Sequence, residues 1–398
     1  MSSKKIALIL MFDHPNLVVE GFSESISNSL KLFNYDSFII SITSDLSSSF
    51  SKISLTDVQL VISIGPWPLE ILLDGIPIYK FFKCPVFLYL LDTPIYDFAK
   101  FSSASDFVNE SITDDRLKIL FSEKSYMDLY LNHFNLINKF PSFHFLPFAA
   151  FPAHNHVKQN NEVQNKLVVI GGLGTELIIN GTKQSNQLKE LIQLNDPYGN
   201  NNSQIDLLFS AFNDVKFYGN VAQVIIKHWS LDPSVIFTQD FLILCCAVDS
   251  YIKRNNRISI IESAIGIDID FYGPGWINQF NGIPGFYFNN DIKHFEIAEI
   301  SKNYTALLNF DPNWEFGIHD RVFTAISSGC TVITNSNFFY DNSSFNHINL
   351  LQYNINSPNI KELFSTLTTT SSINNQSIRD FTLHHSWFNR VFSMLNTL

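Results

Sequence analysis

Short apolar runs alternate with amphipathic segments along the first part of the chain. The runs are bounded by turn-forming residues and stay apolar at consecutive positions, which is typical of strands buried on both faces. They predict strands at residues 6–12, 37–43, 58–65, 85–92 and 117–122. Residues 21–33 carry apolar side chains near helical spacing. Because strands alternate with helices, this half is predicted to form a parallel, doubly wound sheet.

The same alternation restarts after the polar stretch 156–166, with an apolar strand that enters a glycine-rich turn at 166–174. Three further strands are predicted at 268–272, 305–310 and 330–334. Helical spacing predicts helices at 248–264, 319–328 and 377–398. The second half is therefore also predicted to be a doubly wound α/β domain.

The chain has 398 residues, which is enough for two domains. We expect Rossmann-like domains at 1–157 and 158–380, and a C-terminal helix at 381–398 that packs back on the first domain. In open α/β sheets, ligands bind at the carboxyl ends of the strands. Two doubly wound domains facing a central cleft would present two such edges to one site.

Charge and cysteine content narrow the function classes. The formal net charge is −11 and no dense Lys/Arg run occurs, so a nucleic-acid binder is not expected. Four cysteines, Cys84, Cys245, Cys246 and Cys330, fit neither a zinc spacing nor a disulfide framework, which favours a cytoplasmic setting. No run reaches the roughly 18 apolar residues that span a bilayer, so any membrane contact would be peripheral.

Two features of the second half are suited to a diphosphate. Gly171 and Gly172 follow a predicted strand, where glycines let backbone N–H groups approach a phosphate. Lys253, Arg254 and Arg257 form a basic cluster in an otherwise acidic chain, and arginine makes bidentate phosphate contacts. The alternatives are an ordinary tight turn and a solvated helix face.

A second glycine turn follows the strand at 268–272. Its residues Tyr272, Gly273 and Trp276 are suited to line a base pocket. The alternative is a structural turn in which Trp276 is a hydrophobic plug.

The segment 309–335 carries the strongest signal. A loop between a strand and a helix contains Glu315, Gly317, His319, Asp320 and Arg321. Free N–H groups and the dipole at a helix N-terminus stabilise an anionic ligand there. The alternative, that Asp320 caps the helix and Arg321 pairs on the surface, explains single residues but not the whole group.

Polar residues also follow predicted strands in the first half. Asp13, His14 and Asp92 lie at strand ends, where they could hold an acceptor hydroxyl or, in an inverting enzyme, act as a base. A strand-end aspartate is also a common helix N-cap.

Several of these pieces resemble one family. The segment HDRVFTAISSGCTVITN at 319–335 resembles the donor-site segment of the CgeB-like, spore-maturation-type glycosyltransferases, which have the GT-B fold. Residues 248–276 are similar to the family's basic helix followed by a Tyr-Gly-x-Gly-Trp turn, 144–150 to its Leu-Pro hinge, and 384–390 to its terminal His…Arg motif.

The resemblance implies transfer of a sugar from a nucleotide-diphosphate donor, such as a UDP-sugar, to a carbohydrate, protein or small-molecule acceptor, in carbohydrate biosynthesis. It implies a donor on the C-terminal domain, an acceptor on the N-terminal domain, and no cofactor or bound metal. The donor contacts it implies are Gly171, Gly172, Lys253, Arg257, Tyr272, Gly273, Trp276, Glu315, Gly317, His319, Asp320, Arg321 and Thr324.

Thr324 departs from the pattern of related GT-B enzymes, which usually carry a glutamate there for the ribose hydroxyls. Two alternatives stay open, of which Thr324 favours only the second. One is a nucleotide-sugar 2-epimerase with the same fold, and the other is a catalytically inactive GT-B binding module. Whether a transferase of this kind would retain or invert the sugar's configuration is also left open.

Overall fold

A computed structural model describes most of the chain. The described residues are 4–13, 18–42, 50, 53–73, 75–91, 93–99, 104–136, 141–151, 163–174, 187–200, 202–213, 220–311, 314–341, 343–346, 348–367 and 375–398. The chain forms two compact units: unit 1 comprises Met1–Phe148, Pro233–Leu242 and Trp387–Leu398, and unit 2 comprises Ala149–Asp232 and Ile243–Ser386.

Unit 1 is built on a six-stranded parallel sheet of order β2-β1-β3-β6-β7-β8. The strands of this unit are β1 (Lys5–Met11), β2 (Tyr35–Ser41), β3 (Val58–Ile64), β4 (Leu72–Leu73), β5 (Ile76–Pro77), β6 (Val86–Leu90), β7 (Leu117–Phe121) and β8 (Phe143–Phe145). β4 and β5 form a separate antiparallel pair. The helices in the same stretch are α1 (Val18–Leu32), α2 (Pro94–Ala99), α3 (Ala104–Glu110) and α4 (Lys124–Leu136).

Unit 2 repeats the plan with a parallel sheet of order β11-β10-β9-β12-β13-β14. Its strands are β9 (Gln164–Ile170), β10 (Ile269–Tyr272), β11 (Phe286–Asn289), β12 (Tyr304–Leu308), β13 (Thr331–Asn335) and β14 (Leu350–Tyr353). The helices that follow along the chain are α5 (Gln187–Leu194), α6 (Asn202–Asn213), α7 (Val221–Trp229), α8 (Gln239–Ser263), α9 (Trp276–Phe280), α10 (Ile297–Ser301), α11 (Asp320–Ser327), α12 (Ile360–Leu367) and α13 (Asn375–His384).

The predicted pair of doubly wound parallel sheets is confirmed. Five strands were not anticipated. β4 and β5 have two residues each and pair only with each other, and β8, β11 and β14 are three or four residues long and lie at sheet edges. The helix predicted at 377–398 is two helices, because the chain breaks at His385 and Ser386 and resumes as α14 (Trp387–Leu395). Within the described residues, no helix is both long and apolar enough to cross a membrane.

The strand order of unit 2 determines where its loops meet. β9 lies between β10 and β12, and all three run in the same direction. Their carboxyl ends therefore lie side by side, and the loops after Ile170, Tyr272 and Leu308 share one edge of the sheet.

Helix α14 belongs to unit 1 although it lies at the end of the chain. Trp387 is 4% exposed and meets Phe22 of α1 edge-on, with ring centroids 5.2 Å apart. Arg390 Nε donates hydrogen bonds to the carbonyls of Pro147 and Phe148. Burial lowers the pKa of Arg390 to about 10.

Replacement of Trp387 by alanine should lower the free energy of unfolding of unit 1 by about 3–5 kcal/mol, because it leaves a cavity beside α1. Urea unfolding followed by tryptophan-independent circular dichroism measures the change. Ser393→Ala, an exposed position on the same helix, is the control and should have little effect. Equal effects of the two substitutions would contradict this packing role.

Candidate functional site

The loop after β9 changes direction at two glycine residues. Gly171 and Gly174 have φ angles of +114° and +98°, which side-chain-bearing residues rarely adopt. The Gly171 N–H donates to the Tyr272 carbonyl at 2.7 Å, and the Leu173 N–H donates to the Pro274 carbonyl at 3.0 Å. The loop after β9 is therefore tied by its backbone to the loop after β10.

Gly273 makes this contact so close that no side chain fits. Its φ is +140°, and a Cβ atom there would lie 2.6 Å from the Gly171 carbonyl carbon. Two glycine turns thus meet backbone to backbone, which supports the prediction that Gly171 and Gly273 belong to one site.

Trp276 supports these turns from the core. It is 1% exposed, it packs on Phe271 with ring centroids 5.0 Å apart, and its Nε1–H donates to the Gly171 carbonyl at 2.7 Å. That Trp276 lines a base pocket stays a prediction, but the indole is enclosed and its one N–H is already bonded. It is the hydrophobic plug of the alternative interpretation.

The Tyr272 hydroxyl is also engaged within the unit. It lies 3.1 Å from the Tyr304 hydroxyl, which donates to Asp270 Oδ2 at 2.7 Å. Lys166 Nζ pairs with the other carboxylate oxygen of Asp270 at 3.1 Å. Burial and these hydrogen bonds raise the pKa of Tyr304. The hydroxyl of Tyr272 therefore contributes to a network on the sheet, and only the rest of its partly buried ring remains for a ligand.

Arginine side chains converge on the first glycine loop. Arg321, in the first turn of α11, donates through Nη1 to the Ile170 carbonyl. Arg257 of α8 donates through Nη1 to the Gly172 carbonyl at 2.8 Å, and Arg254 Nη1 lies 3.4 Å from the Gly174 carbonyl. Since a guanidinium has five N–H donors, each keeps donors beyond these bonds. The residues predicted at 171, 172, 257 and 321 are brought together.

Lys253 lies in the same turn of α8 but pairs with Asp249. The two charged groups are 2.9 Å apart, and Asp249 is fully buried. The ion pair neutralises most of the charge that was assigned to a diphosphate, so Lys253 is a weaker candidate than Arg257.

The loop after β12 is held by asparagines. Asn335, at the end of β13, accepts from the Asp311 N–H at 2.7 Å and donates to the Asp311 carbonyl at 3.1 Å. Asn337 Nδ2 donates to the carbonyls of Trp314 and Gly317, at 2.6 Å and 2.7 Å. Gly317 thus contributes a backbone carbonyl to this set of asparagine hydrogen bonds.

His319 lies against two side chains of this loop. Its ring stacks on Trp314, with centroids 4.6 Å apart, and its Nε2 is 3.4 Å from Asp311 Oδ1. The side chain is 23% exposed. Burial and the neighbouring Arg321 hold the pKa of His319 well below its usual value, so the imidazole is neutral at pH 7.

Asp320 is directed into the unit. Its Oδ2 lies 3.0 Å from Nε2 of the buried His294. Burial alone would raise the pKa of Asp320, but His294 and Arg321 outweigh it and lower the pKa to about 2. That Asp320 contacts the donor stays a prediction, but its Oδ2 is already used in an internal pair with His294.

Thr324 is likewise internal. It is 1% exposed, and its hydroxyl accepts from the Phe151 N–H at 3.3 Å. The donor role of Thr324 stays a prediction, and its hydroxyl is already engaged within the unit. The residue where the family's glutamate is expected instead connects α11 to the chain segment at Phe151.

Glu315 is half-buried. Burial raises the pKa of its carboxyl group, and the Asn220 N–H, at the start of α7, partly offsets that rise. Within the described part of the chain, no group of three or more His, Cys, Asp or Glu side chains is arranged to hold a metal ion.

In unit 1, Asp13 follows β1 and accepts from the Ser41 hydroxyl, which ends β2, at 2.6 Å. The carboxyl edge of the sheet therefore holds this side chain as predicted. His14 and Asp92 lie outside the described residues.

Asp311 and its asparagine partners were not singled out in the sequence. The carboxylate of Asp311 is fully buried and accepts from Asn309 Nδ2 at 2.7 Å. A signal was present, since Asn309 and Asp311 directly follow β12 and Asn335 ends the neighbouring β13. The strand-end rule applied to Asp13 would have found them.

Comparison with solved structures identifies the fold. Over 99% of each chain, the protein resembles the β-glucosyltransferase of phage T4, with a TM-score of 0.51 and 12% identity. It also resembles AviGT4, a glycosyltransferase of avilamycin A biosynthesis, with a TM-score of 0.50 and 9% identity over 99% of this chain and 96% of that one. Sucrose-phosphate synthase from Thermosynechococcus elongatus matches with a TM-score of 0.50 and 7% identity over 99% and 98%.

The sequence itself matches no protein-family model and no curated protein. The structural likenesses, all at low identity, define the fold: two Rossmann-like α/β domains, as in GT-B glycosyltransferases.

Replacement of Gly273 by alanine should lower the free energy of unfolding of unit 2 by about 3 kcal/mol or more, since it adds a backbone clash to an unfavourable φ. Gly282→Ala is the matched control, because Gly282 has φ +82° and no atom within 4 Å of its Cβ position. The control should cost only about 1–2 kcal/mol. Chemical denaturation measures both, and equal costs would argue against the close contact of the two turns.

Burial raises the pKa of Asp311 from 3.8 to about 6, although Arg321 opposes the shift. The folded protein therefore binds this proton more tightly than the unfolded chain. The resulting stability is fully present below the unfolded pKa and is lost as the pH rises through about 6.

Relative to wild type, Asp311→Asn should therefore gain stability between pH 4 and pH 7.5, by at most about 3 kcal/mol. Urea unfolding at several pH values measures the difference. The exposed Asp291→Asn is the control and should follow wild type at every pH. A pH-independent difference between Asp311→Asn and wild type would contradict the raised pKa.

Proposed function

We propose that the protein is a nucleotide-sugar-dependent glycosyltransferase whose donor diphosphate binds at the loop of residues 171–174. The observation that carries this proposal is the convergence of Arg257 and Arg321 on that loop. Both arginines reach it from helices, and Arg321 lies in the first turn of α11.

The electrostatics of this place favour an anionic ligand. The chain carries a net charge of −11, so its average field repels phosphate. Two guanidinium groups, the backbone of a glycine turn and the N-terminus of α11 reverse that field locally. Arginine can also bind two phosphate oxygens at once, which fixes the ligand's orientation.

In the proposed reaction, an acceptor hydroxyl oxygen bonds to the sugar's anomeric carbon, the bond from that carbon to the diphosphate oxygen breaks, and the hydroxyl's proton passes to a base. Negative charge develops on the leaving diphosphate. Arg321 and Arg257 stabilise that charge because they are already oriented by their bonds to backbone carbonyls. We propose that these groups act without a bound metal. Glu315 is the carboxylate proposed to contact the sugar.

The acceptor is proposed to bind unit 1, with Asp13 as the described candidate for the general base of an inverting reaction. Its carboxylate accepts from Ser41 at the carboxyl edge of the sheet. Transfer assays with glycan, protein and small-molecule acceptors would identify the class of acceptor. The finer assignment to the CgeB-like family, and a cytoplasmic location, also stay predictions.

An inactive GT-B binding module is the second candidate, and the environment of Thr324 favours it. This hydroxyl is buried against Phe151, so the position that carries the ribose-binding glutamate in related enzymes offers nothing to a ligand here. A 2-epimerase would use the same diphosphate site and differs only in its product.

Incubation with UDP-, GDP- and dTDP-sugars, with and without EDTA, separates the three functions. Donor hydrolysis or transfer supports the transferase, an epimerised donor supports the isomerase, and binding without turnover supports the module. Loss of turnover in EDTA would refute the metal-independent mechanism.

Arg321→Ala and Arg257→Ala should each weaken UDP binding at least tenfold, since each removes a charge-assisted hydrogen bond worth about 1.5–3 kcal/mol. Arg321→Ala should also abolish turnover. Arg379→Ala, an exposed arginine on α13, is the control and should bind as wild type does. Calorimetry with UDP measures the affinity. Unchanged UDP binding in both site variants would contradict the placement of the diphosphate at residues 171–174.

A further inference from the structure

A carboxylate side chain is unusual at a position as buried as that of Asp311. It is fully buried at the carboxyl end of β12, and burial of an ionised carboxylate is costly unless it is well paired. It is also close enough to Arg321 and Arg257 for both to act on its charge. If these arginines bind a diphosphate, the carboxylate would oppose that ligand.

The backbone of Asp311 is held independently of its carboxylate. Asn335 holds Asp311 through the backbone, as it accepts from the N–H at 2.7 Å and donates to the carbonyl at 3.1 Å. These two bonds would survive any change of the side chain. The carboxylate itself also accepts a hydrogen bond from the His319 backbone N–H, so its role involves His319 as well as the path of the loop.

The carboxylate's own neighbours indicate that role. Asn309 Nδ2 donates to Oδ2 at 2.7 Å and fixes the plane of the carboxylate. The other oxygen, Oδ1, lies 3.4 Å from His319 Nε2. That separation is long for a hydrogen bond, but such bonds in ligand-free sites commonly tighten when a ligand binds.

The ring of His319 is constrained from a second side by Trp314, on which it stacks at an interplanar angle of 28°. The stack restricts the tilt of the ring. Asp311 Oδ1 is buried and has no hydrogen-bond partner among the described residues, so a hydrogen bond from His319 to this oxygen would place the proton on Nε2. In a neutral imidazole with Nε2 protonated, Nδ1 is a hydrogen-bond acceptor.

We propose that Asp311 is a positioning residue that holds His319 in the tautomer protonated on Nε2, so that Nδ1 accepts a hydrogen bond from a hydroxyl group of the donor sugar. The sugar contact rests on the proposed transferase function, whereas the pairing of Asp311 with His319 does not.

The tautomer can be measured without any ligand. Nitrogen-15 spectra of the full chain with labelled histidine report which ring nitrogen is protonated, and His319→Gln identifies the signal. Wild type should show His319 protonated on Nε2. Asp311→Asn should shift the population towards the Nδ1-protonated form, while Asp291→Asn, an exposed control in the same unit, should not.

Protonation on Nδ1 in wild type would overturn the proposal, whether or not Asp311→Asn folds. So would an unchanged His319 signal in an Asp311→Asn protein that melts as cooperatively as wild type.

A functional measurement separates this inference from the proposed function. With a donor that wild type turns over, Asp311→Asn should lower kcat about 10- to 100-fold, the usual effect of losing a group that orients another. It should not weaken UDP binding, because it removes a negative charge near the diphosphate. Equal loss of kcat and UDP affinity would indicate a merely structural role.

Failure of wild type to bind UDP would refute the proposed function and the sugar contact, while the tautomer measurement would still decide the Asp311–His319 pairing.

Discussion

The contact between the backbones of Gly171 and Gly273 is the constraint on which the rest of the site depends. It exists because β9 and β10 are parallel neighbours whose loops leave the sheet at the same edge. At 2.6 Å from the Gly171 carbonyl carbon, the Cβ position of Gly273 leaves no room for a side chain. The close approach leaves the carbonyls of Ile170 and Gly172 to accept from Arg321 and Arg257, so the turn orients the cations before any ligand arrives.

The charged side chains of unit 2 fall into two groups that differ in their partners. Inside, Asp320 is paired with His294 and Asp249 with Lys253, so these buried carboxylates are balanced by partners close at hand. Arg321 and Arg257 instead donate hydrogen bonds to backbone carbonyls, which carry only partial charge. This contrast explains why neighbouring ionisable residues on one helix, Asp320 and Arg321, have opposite roles.

The sequence predicted the architecture well and the site only in part. The central strands of both sheets could be predicted from long apolar runs bounded by turn-forming residues, because strands buried on two faces tolerate few polar residues. Edge strands such as β14 were missed, since a short strand with one neighbour needs no continuous apolar run. Within the site, residue type and spacing located Arg257 and Arg321. They did not reveal that Asp320, Thr324 and Trp276 point inward, because the direction of a side chain depends on tertiary partners such as His294, Phe151 and Gly171.

The inward direction of Thr324 bears on what the site recognises. In a helix of eight residues, positions 321 and 324 are three apart and would lie on the same face. Here, however, one donates to the Ile170 carbonyl while the other accepts from Phe151. A glutamate at 324 would have to bury its charge against Phe151 or displace that segment. The threonine therefore suits the packing around α11 that this chain has adopted. Recognition of a nucleoside, if the donor binds as proposed, must come from groups other than residue 324, and the phosphates would supply most of the anchoring.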